Sequence, residues 1–130
     1  MLGSRRAIVV HGHDGLDEIS VCAPTRISEL SDGQIRTYDM SPEPFFGEAA
    51  DPQELAGGEP AYNAEITHRI LAGEKGARRN VVLLNSAAAL VASGRVKDIP
   101  AGIRLAEEAI DSSAAAAKLE ALAAYTKENG

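Results

Sequence analysis

The sequence predicts an α/β fold in which a partial mixed sheet, made of one buried strand plus a hairpin, packs with about four helices. Three observations lead to this fold class. They are an apolar, β-branched run at residues 7–10, a tight-turn signal at residues 32–33, and apolar residues at helical spacing through the second half of the chain. A chain of 130 residues has room for one core, so we expect residues 1–130 to form a single unit.

The buried strand is predicted at Ala7-Ile8-Val9-Val10, where every side chain is apolar, as in a parallel sheet covered on both faces. The glycines and short polar residues of His11-Gly12-His13-Asp14-Gly15 predict a loop at its carboxyl end, which is the end where open α/β sheets bind ligands. A central strand needs neighbours on both sides, and the hairpin supplies only some of them. We therefore expect the sheet to be incomplete and the chain to be a segment of a larger domain.

The hairpin is predicted by Asp32-Gly33, a two-residue turn signal that requires positive φ at both positions. Pairing outward from this turn aligns two apolar pairs and two pairs of opposite charge, each worth about 0.2–1 kcal/mol. These pairs are Leu30 with Ile35, Glu29 with Arg36, Ile27 with Tyr38, and Arg26 with Asp39.

An irregular surface connection is predicted over Ser41–Gly58, because three prolines and three glycines interrupt any regular pattern there. A helix should follow from Pro60 to about Gly73. The next helix is predicted to begin at Asn80 as its N-cap and to end at Gly94; it is apolar nearly all round, which indicates burial on most sides.

Two more helices complete the predicted fold. One runs from about Pro100 to Ile110, and an alanine-rich one from about Ser113 to Lys127, with Leu119 and Leu122 facing inward. Alanine favours helix and allows close helix packing.

Composition and charge exclude several classes of function. Thirteen basic and nineteen acidic residues give a net charge of −6, which would repel a nucleic acid backbone. The stretch Met1–Arg6 is followed by too few apolar residues for a signal peptide, and no apolar run reaches the roughly 20 residues that span a bilayer. Cys22, the single cysteine, fits a reducing cytoplasm and is interpreted as a small buried apolar residue rather than a nucleophile.

The densest group of potential ligands is the acidic stretch 11–18, and its composition leaves three interpretations open. It can be a solvated acidic turn. A zinc site of the metallo-hydrolase type is disfavoured, because Asp14 is out of register for that pattern and the following histidine is absent. In the third interpretation Asp17 and Glu18 hold Mg²⁺ through a few carboxylate oxygens, leaving other positions for water and a substrate phosphate.

The stretch 6–20 resembles the region around the second metal site of anthranilate phosphoribosyltransferases. Further segments recur in the family's order, so that the resemblance spans nearly the whole chain. These segments are Pro24-Thr25, Gly57-Gly58, Asn63-Ala64, Ile70-Leu71-Ala72-Gly73, Val82-Leu83-Leu84-Asn85, Ala87-Ala88-Ala89-Leu90, and Gly102-Ile103 to Ile110-Asp111-Ser112. The departures, Tyr62 for the usual glutamate, Asn80 for the usual aspartate and the segment 44–47, affect caps and loops.

The resemblance implies the C-terminal part of a nucleoside phosphorylase/phosphoribosyltransferase α/β domain. Such an enzyme transfers the phosphoribosyl group of phosphoribosyl pyrophosphate to anthranilate, releasing pyrophosphate, in tryptophan biosynthesis, with Mg²⁺ as cofactor. Asp17 and Glu18 match the metal-binding pair, and no catalytic residue is predicted. The family's N-terminal helical domain and glycine-rich pyrophosphate loop precede the matched region, so we expect this chain alone to be inactive.

Several alternatives stay open. A paralogue with another acceptor, or a non-catalytic interaction protein, would show the same residues. His11 is interpreted as a loop residue bonded to backbone, and Arg78-Arg79 as a solvated turn before a helix rather than an anion site. The incomplete sheet favours a homodimer that covers its edge.

Overall fold

The computed structural model describes residues 3–130. Met1 and Leu2, the first residues of the stretch Met1–Arg6 that lacks the pattern of a signal peptide, lie outside the described residues. Three strands form one sheet in the order β1-β2-β3. The strands are β1 (Arg6–Gly12), β2 (Thr25–Ser31) and β3 (Gln34–Met40). Together with the helices that follow, this sheet confirms the predicted α/β class.

The β2–β3 hairpin has the predicted turn and register. Asp32 and Gly33 both have positive φ, at 50° and 74°. All four predicted pairs are observed, from the pair next to the turn out to Arg26 opposite Asp39. Turn geometry fixes the register of a hairpin, and here the hydrophobic and charge patterns agree with it.

β1 differs from its prediction in both pairing and coverage. It pairs with β2 antiparallel, from Arg6 opposite Ser31 to Gly12 opposite Thr25, and all pairings in the described sheet are antiparallel. Ile8 and Val10 pack on the core, whereas the Val9 side chain is 67% exposed. The prediction of a strand covered on both faces is therefore wrong for the described residues: successive side chains of a strand point to opposite faces, and the helices cover one of them.

The connection after the sheet contains two short helical turns: the helix α1 (Glu43–Phe46) and a 3₁₀ helix (Pro52–Leu55). Asp51 caps the second turn, accepting from Gln53 N at 2.8 Å while its own N–H donates to Glu54 at 3.1 Å. This reciprocal arrangement is a capping box. The connection is not wholly on the surface, because both phenylalanines of α1 pack on the core.

Four longer helices form the second half of the described chain, as predicted. They are α2 (Pro60–Leu71), α3 (Ala77–Ala92), α4 (Ile99–Asp111) and α5 (Ala114–Asn129). Gly94, with φ of 74°, follows the end of α3 as expected.

Two details of the helices correct the predictions. α3 begins at Ala77, three residues before Asn80, because Gly76 adopts a φ of 126°, which is not helical and sets the start of the helix. The N–H of Asn80 donates to Gly76 O at 3.0 Å, so Asn80 lies within the helix and is not its N-cap. On α5, Leu122 is 58% exposed and does not face inward, while Leu119 is half-buried.

The core lies mainly around α3. One cluster joins this helix to the sheet and to the loop after β1; its buried members are Ile19, Val21, Ile27, Leu84 and Ala88. A second cluster joins α3 to α4 and contains Leu83, Ala106 and Ile110. Within residues 3–130, none of the helices combines the length and the apolar character needed to cross a bilayer.

Candidate functional site

The candidate site lies on the acidic loop, residues 13–24, which connects β1 to β2. Its first turn is closed by backbone bonds: Gly12 N–H donates to Leu16 O at 2.9 Å, and Gly15 N–H donates to Gly12 O at 2.9 Å. The Asp14 carboxylate accepts from Leu16 N at 3.2 Å and from the Ser20 hydroxyl at 2.5 Å. Asp14 therefore holds the acidic loop together through its own hydrogen bonds.

Ser20 and Thr25 fix the second half of the acidic loop. The buried Ser20 hydroxyl accepts from the N–H groups of Cys22 and Ala23, at 3.0 and 3.2 Å. The Ser20 N–H donates to the Thr25 hydroxyl at 3.0 Å. Every one of these bonds satisfies a backbone donor that would be costly to leave unpaired in the interior.

Asn85 of α3 ties the middle of the acidic loop to the helix. Its Oδ1 accepts from Ile19 N at 2.8 Å, and its Nδ2 donates to Ile19 O at 2.9 Å and to Val81 O at 2.9 Å. Sequence reasoning did not assign this role to Asn85. The available signal was an amide in the mostly apolar stretch 81–92 of a helix predicted to be buried, because a buried amide demands a hydrogen-bonding partner.

Asp17 and Glu18 occupy the part of the acidic loop between these fixed points. Both side chains are exposed, and neither takes part in the ion pairs formed within residues 3–130. No group of three or more histidine, cysteine or acidic side chains in the described part of the chain is arranged to hold a metal ion. Two carboxylates alone suit Mg²⁺, a hard cation that keeps several water molecules and takes few protein ligands.

Glu18 also lines a small cleft of about 230 Å³ at the junction of the acidic loop, α2 and α3. Arg78 and Asn63 contribute polar groups to the same cleft. The Asn63 amide forms two hydrogen bonds with Gly58: it accepts from the Gly58 N–H and donates to the Gly58 carbonyl, both at 2.8 Å. A Cβ on Gly57 would come within 2.7 Å of the Asn63 oxygen, so this close packing explains the glycine.

The predicted arginine pair is not a solvated turn, because both residues lie in the first turn of α3. Arg78 donates to Ala56 O at 2.7 Å and lies 5.9 Å from the Tyr62 ring centroid. Arg79 is buried and forms an ion pair with Asp111. Arg78 thus joins Ala56, in the connection before α2, to α3. Arg79 serves the packing of α3 on α4.

The two histidines near the site lie on or beside β1. His11 is exposed within β1, and in the described structure its ring forms no hydrogen bond to backbone, contrary to the prediction. His13 Nε2 lies 3.1 Å from Asp39 Oδ1. The Arg26 guanidinium donates to both carboxylate oxygens of Asp39, from Nε to Oδ1 at 2.5 Å and from Nη2 to Oδ2 at 3.1 Å. This contact holds the pKa of the Asp39 carboxyl below its ordinary value, and His13 adds to the effect. These residues form an exposed cross-strand cluster.

Cys22 is half-buried and packs on the first core cluster. Burial raises the pKa of its thiol, and the negative charge of Asp14 raises it further. A raised pKa leaves little thiolate near neutral pH, which agrees with the interpretation of Cys22 as a packing residue.

The three-stranded sheet and the helices that follow it define an α/β domain, with the exposed pair Asp17 and Glu18 on the loop after its first strand. Residues 1–116 match the sequence model of the glycosyl transferase family α/β domain, and the chain belongs to this family.

Individual relatives confirm the resemblance to anthranilate phosphoribosyltransferases that the sequence predicted. The chain is 61% identical to an anthranilate phosphoribosyltransferase of Desulfosudis oleivorans, covering 100% of this chain and 39% of the relative. It is 60% identical to that of Syntrophobacter fumaroxidans, covering 99% and 38%. The chain therefore spans less than half the length of the relatives it matches.

Solved structures of anthranilate phosphoribosyltransferases are also similar to this chain. The anthranilate phosphoribosyltransferase of Thermus thermophilus superposes with a TM-score of 0.82 at 33% identity, covering 94% of this chain and 36% of that one. The Saccharomyces cerevisiae enzyme, solved in complex with PRPP and Mg, superposes with a TM-score of 0.75 at 28% identity, covering 87% and 33%.

Proposed function

We propose that this chain is the C-terminal part of the catalytic α/β domain of an anthranilate phosphoribosyltransferase. The complete enzyme would join anthranilate to the ribose of phosphoribosyl pyrophosphate, yielding N-phosphoribosyl anthranilate and pyrophosphate for tryptophan biosynthesis. One observation carries the proposal: Asp17 and Glu18, in the segment that resembles the family's metal site, lie exposed on a loop that is otherwise tied down. The identity to relatives over the whole chain supports it.

Mg²⁺ is the proposed cofactor, and Asp17 and Glu18 are the proposed ligands from this chain. Their carboxylates are exposed and unengaged by cations of the described chain, and carboxylate oxygen is the donor that this ion prefers. When bound, Mg²⁺ supplies Lewis-acid stabilisation of the negative charge on the pyrophosphate leaving group. The relative from yeast has been solved with PRPP and Mg, which supports Mg²⁺ as the proposed cofactor.

Two carboxylates without a cation would repel a diphosphate, so the anion-binding N–H groups must come from another part of the enzyme. We propose that the family's glycine-rich loop provides them. It follows that the purified 130-residue chain should show no transferase activity. Measurable turnover by this chain alone would contradict the proposed division of the site.

A homodimer is also part of the proposal. Within the described sheet β1 has a partner on one side only, and Val9 on this strand is 67% exposed. An open strand edge with an apolar side chain tends to be covered by another polypeptide. Light scattering should give twice the monomer mass, and a clean monomer would count against this part of the proposal.

The function is best tested in a hybrid enzyme, in which this chain replaces the matching residues of the 61% identical Desulfosudis oleivorans relative. The hybrid should form N-phosphoribosyl anthranilate only with Mg²⁺ present. Asp17→Asn and Glu18→Gln, which keep side-chain size and remove charge, should each lower kcat/KM for phosphoribosyl pyrophosphate by about tenfold or more. A folded but inactive hybrid, or activity indifferent to both substitutions, would contradict the proposal.

A further inference from the structure

We infer that Asn85 is a positioning residue for the Asp17 and Glu18 carboxylates and acts through the backbone of Ile19. This inference rests on the proposed function, because it concerns the residues that would hold Mg²⁺. It adds a group on α3, 66 positions further along the chain than Ile19, to the determinants of metal affinity.

The Asn85 amide uses both of its ends on one residue. Oδ1 accepts the Ile19 N–H at 2.8 Å, and Nδ2 donates to the Ile19 carbonyl at 2.9 Å. A second donation from Nδ2, to Val81 O at 2.9 Å, fixes the amide relative to its own helix. Ile19 is 1% exposed and packs in the same cluster as Leu84, so apolar burial reinforces the two-point bond.

This contact sets one end of the short segment that carries the carboxylates. At the other end Leu16 is held by its bonds to Gly12 N–H and the Asp14 carboxylate. Asp17 and Glu18 are the only residues between these two fixed positions, and neither side chain makes a hydrogen bond within the described chain. The placement of their carboxylates therefore depends on how firmly the backbone on either side is held.

An asparagine is the residue that suits this position. An apolar side chain would leave the N–H and C=O groups of Ile19 without partners in the interior. A serine hydroxyl can donate and accept, but it is a single atom on a shorter side chain and does not reproduce the separate donor and acceptor of the amide. An aspartate would keep the acceptor for the N–H but place a negative oxygen against two carbonyl oxygens. Asn85→Asp therefore removes the two hydrogen bonds that Nδ2 donates, with almost no change in side-chain volume.

Positional control of this kind matters for Mg²⁺, which demands near-ideal octahedral geometry. Removing groups that orient metal ligands commonly weakens metal binding by about 10–100-fold. A purely structural role for Asn85 predicts a different outcome: a less stable protein whose folded fraction binds the metal as before. The two roles can be separated by varying the metal concentration.

The test compares the hybrid enzyme with its Asn85→Asp variant. We expect the Mg²⁺ concentration for half-maximal activity to rise about tenfold, while saturating Mg²⁺ restores most of kcat. The dissociation constant for Mn²⁺, used as an octahedral substitute and measured by electron paramagnetic resonance with pyrophosphate present, should rise to the same extent. Asn80→Asp is the matched control, because it makes the same change on the same helix without contacting Ile19.

A reduced kcat with unchanged Mg²⁺ dependence and unchanged Mn²⁺ affinity would overturn the inference. If Asn85→Asp fails to fold, Asn85→Ser, whose shorter side chain does not reproduce the two-point contact with Ile19, should still raise the Mn²⁺ dissociation constant. Glu18→Gln separates this inference from the proposed function. If that substitution leaves Mn²⁺ binding intact, the metal site itself is wrong; if it weakens binding and the Asn85 variants do not, only the positioning role fails.

Discussion

Arg79 and Asp111 form a two-point ion pair that joins the first turn of α3 to the end of α4. The guanidinium Nη atoms lie 2.8 and 3.0 Å from the two carboxylate oxygens. The arginine side chain is 1% exposed and the aspartate side chain 50% exposed, so the pair is buried at one end and open to solvent at the other. Because α3 also carries Asn85, this pair helps to hold the helix on which the acidic loop rests.

Removing the carboxylate should be destabilising, because a buried guanidinium would lose its partner. For Asp111→Asn we expect the midpoint of thermal unfolding to fall by about 5 °C or more, measured by circular dichroism. Glu108→Gln, an equivalent loss of charge on the exposed face of the same helix, should leave the midpoint nearly unchanged. Equal effects of the two substitutions would contradict a special role for the ion pair.

The same ion pair predicts a dependence of stability on pH. The Arg79 guanidinium lowers the pKa of the Asp111 carboxyl, and Lys75 adds to the effect while partial burial opposes it. A lowered folded-state pKa gives stability that is present above the unfolded value of about 3.9 and is lost as the pH falls through the folded value. The difference in the midpoint of thermal unfolding between the chain and its Asp111→Asn variant should thus be largest near neutral pH and shrink below about pH 4. A constant difference down to pH 2 would contradict this account.

The contact between α3 and α4 depends on Gly102. A Cβ at this position would lie 2.7 Å from both Cα and Cβ of Ala87, so the neighbouring backbone would have to move. On an exposed helix face alanine would stabilise relative to glycine, but overpacking should lower the free energy of unfolding by about 1–3 kcal/mol. Urea denaturation of Gly102→Ala measures this. Gly3→Ala, where nothing lies within 4 Å, is the control, and a Gly102→Ala variant as stable as its parent would refute the close contact.

The hairpin turn provides a test of backbone conformation alone. Gly33 has a φ of 74°, and a Cβ there would meet nothing within 4 Å. Gly33→Ala should therefore cost about 1–2 kcal/mol through left-handed strain, without any steric clash. Gly33→Asn should cost less, because asparagine tolerates this conformation. If both substitutions cost the same in urea denaturation, the turn has another geometry.

The features that the sequence predicted well are governed by residues close together in the chain. The hairpin register follows from Asp32-Gly33 and the pairs beside it, and the long helices follow from apolar spacing and glycine stops. The acidic pair Asp17 and Glu18 was predicted from the ordered motifs of the family resemblance, and its role as a metal site stays a prediction. Its surroundings could not be read from local patterns, since Asn85 reaches Ile19 across 66 positions.

The wrong predictions arose where a tertiary contact or a single backbone angle, neither of which a local sequence pattern gives, decided the structure. The run Ala7–Val10 is apolar throughout, but sequence alone does not say which strand face the helices will cover, and Val9 is left exposed. Arg79 resembles a surface charge until the end of α4 supplies Asp111. Asn80 is a good capping residue, yet Gly76 starts the helix earlier. In each case a tertiary contact or a single backbone angle outweighed the local preference.

Direct measurement of metal binding at Asp17 and Glu18 tests the central claim. Mn²⁺ binding to the hybrid enzyme, followed by electron paramagnetic resonance with inorganic pyrophosphate present, should be lost in the Asp17→Asn/Glu18→Gln double variant while its thermal unfolding stays that of the parent. Mn²⁺ binding of undiminished affinity in that folded double variant would show that these carboxylates do not hold the metal, and the account of the site would be wrong.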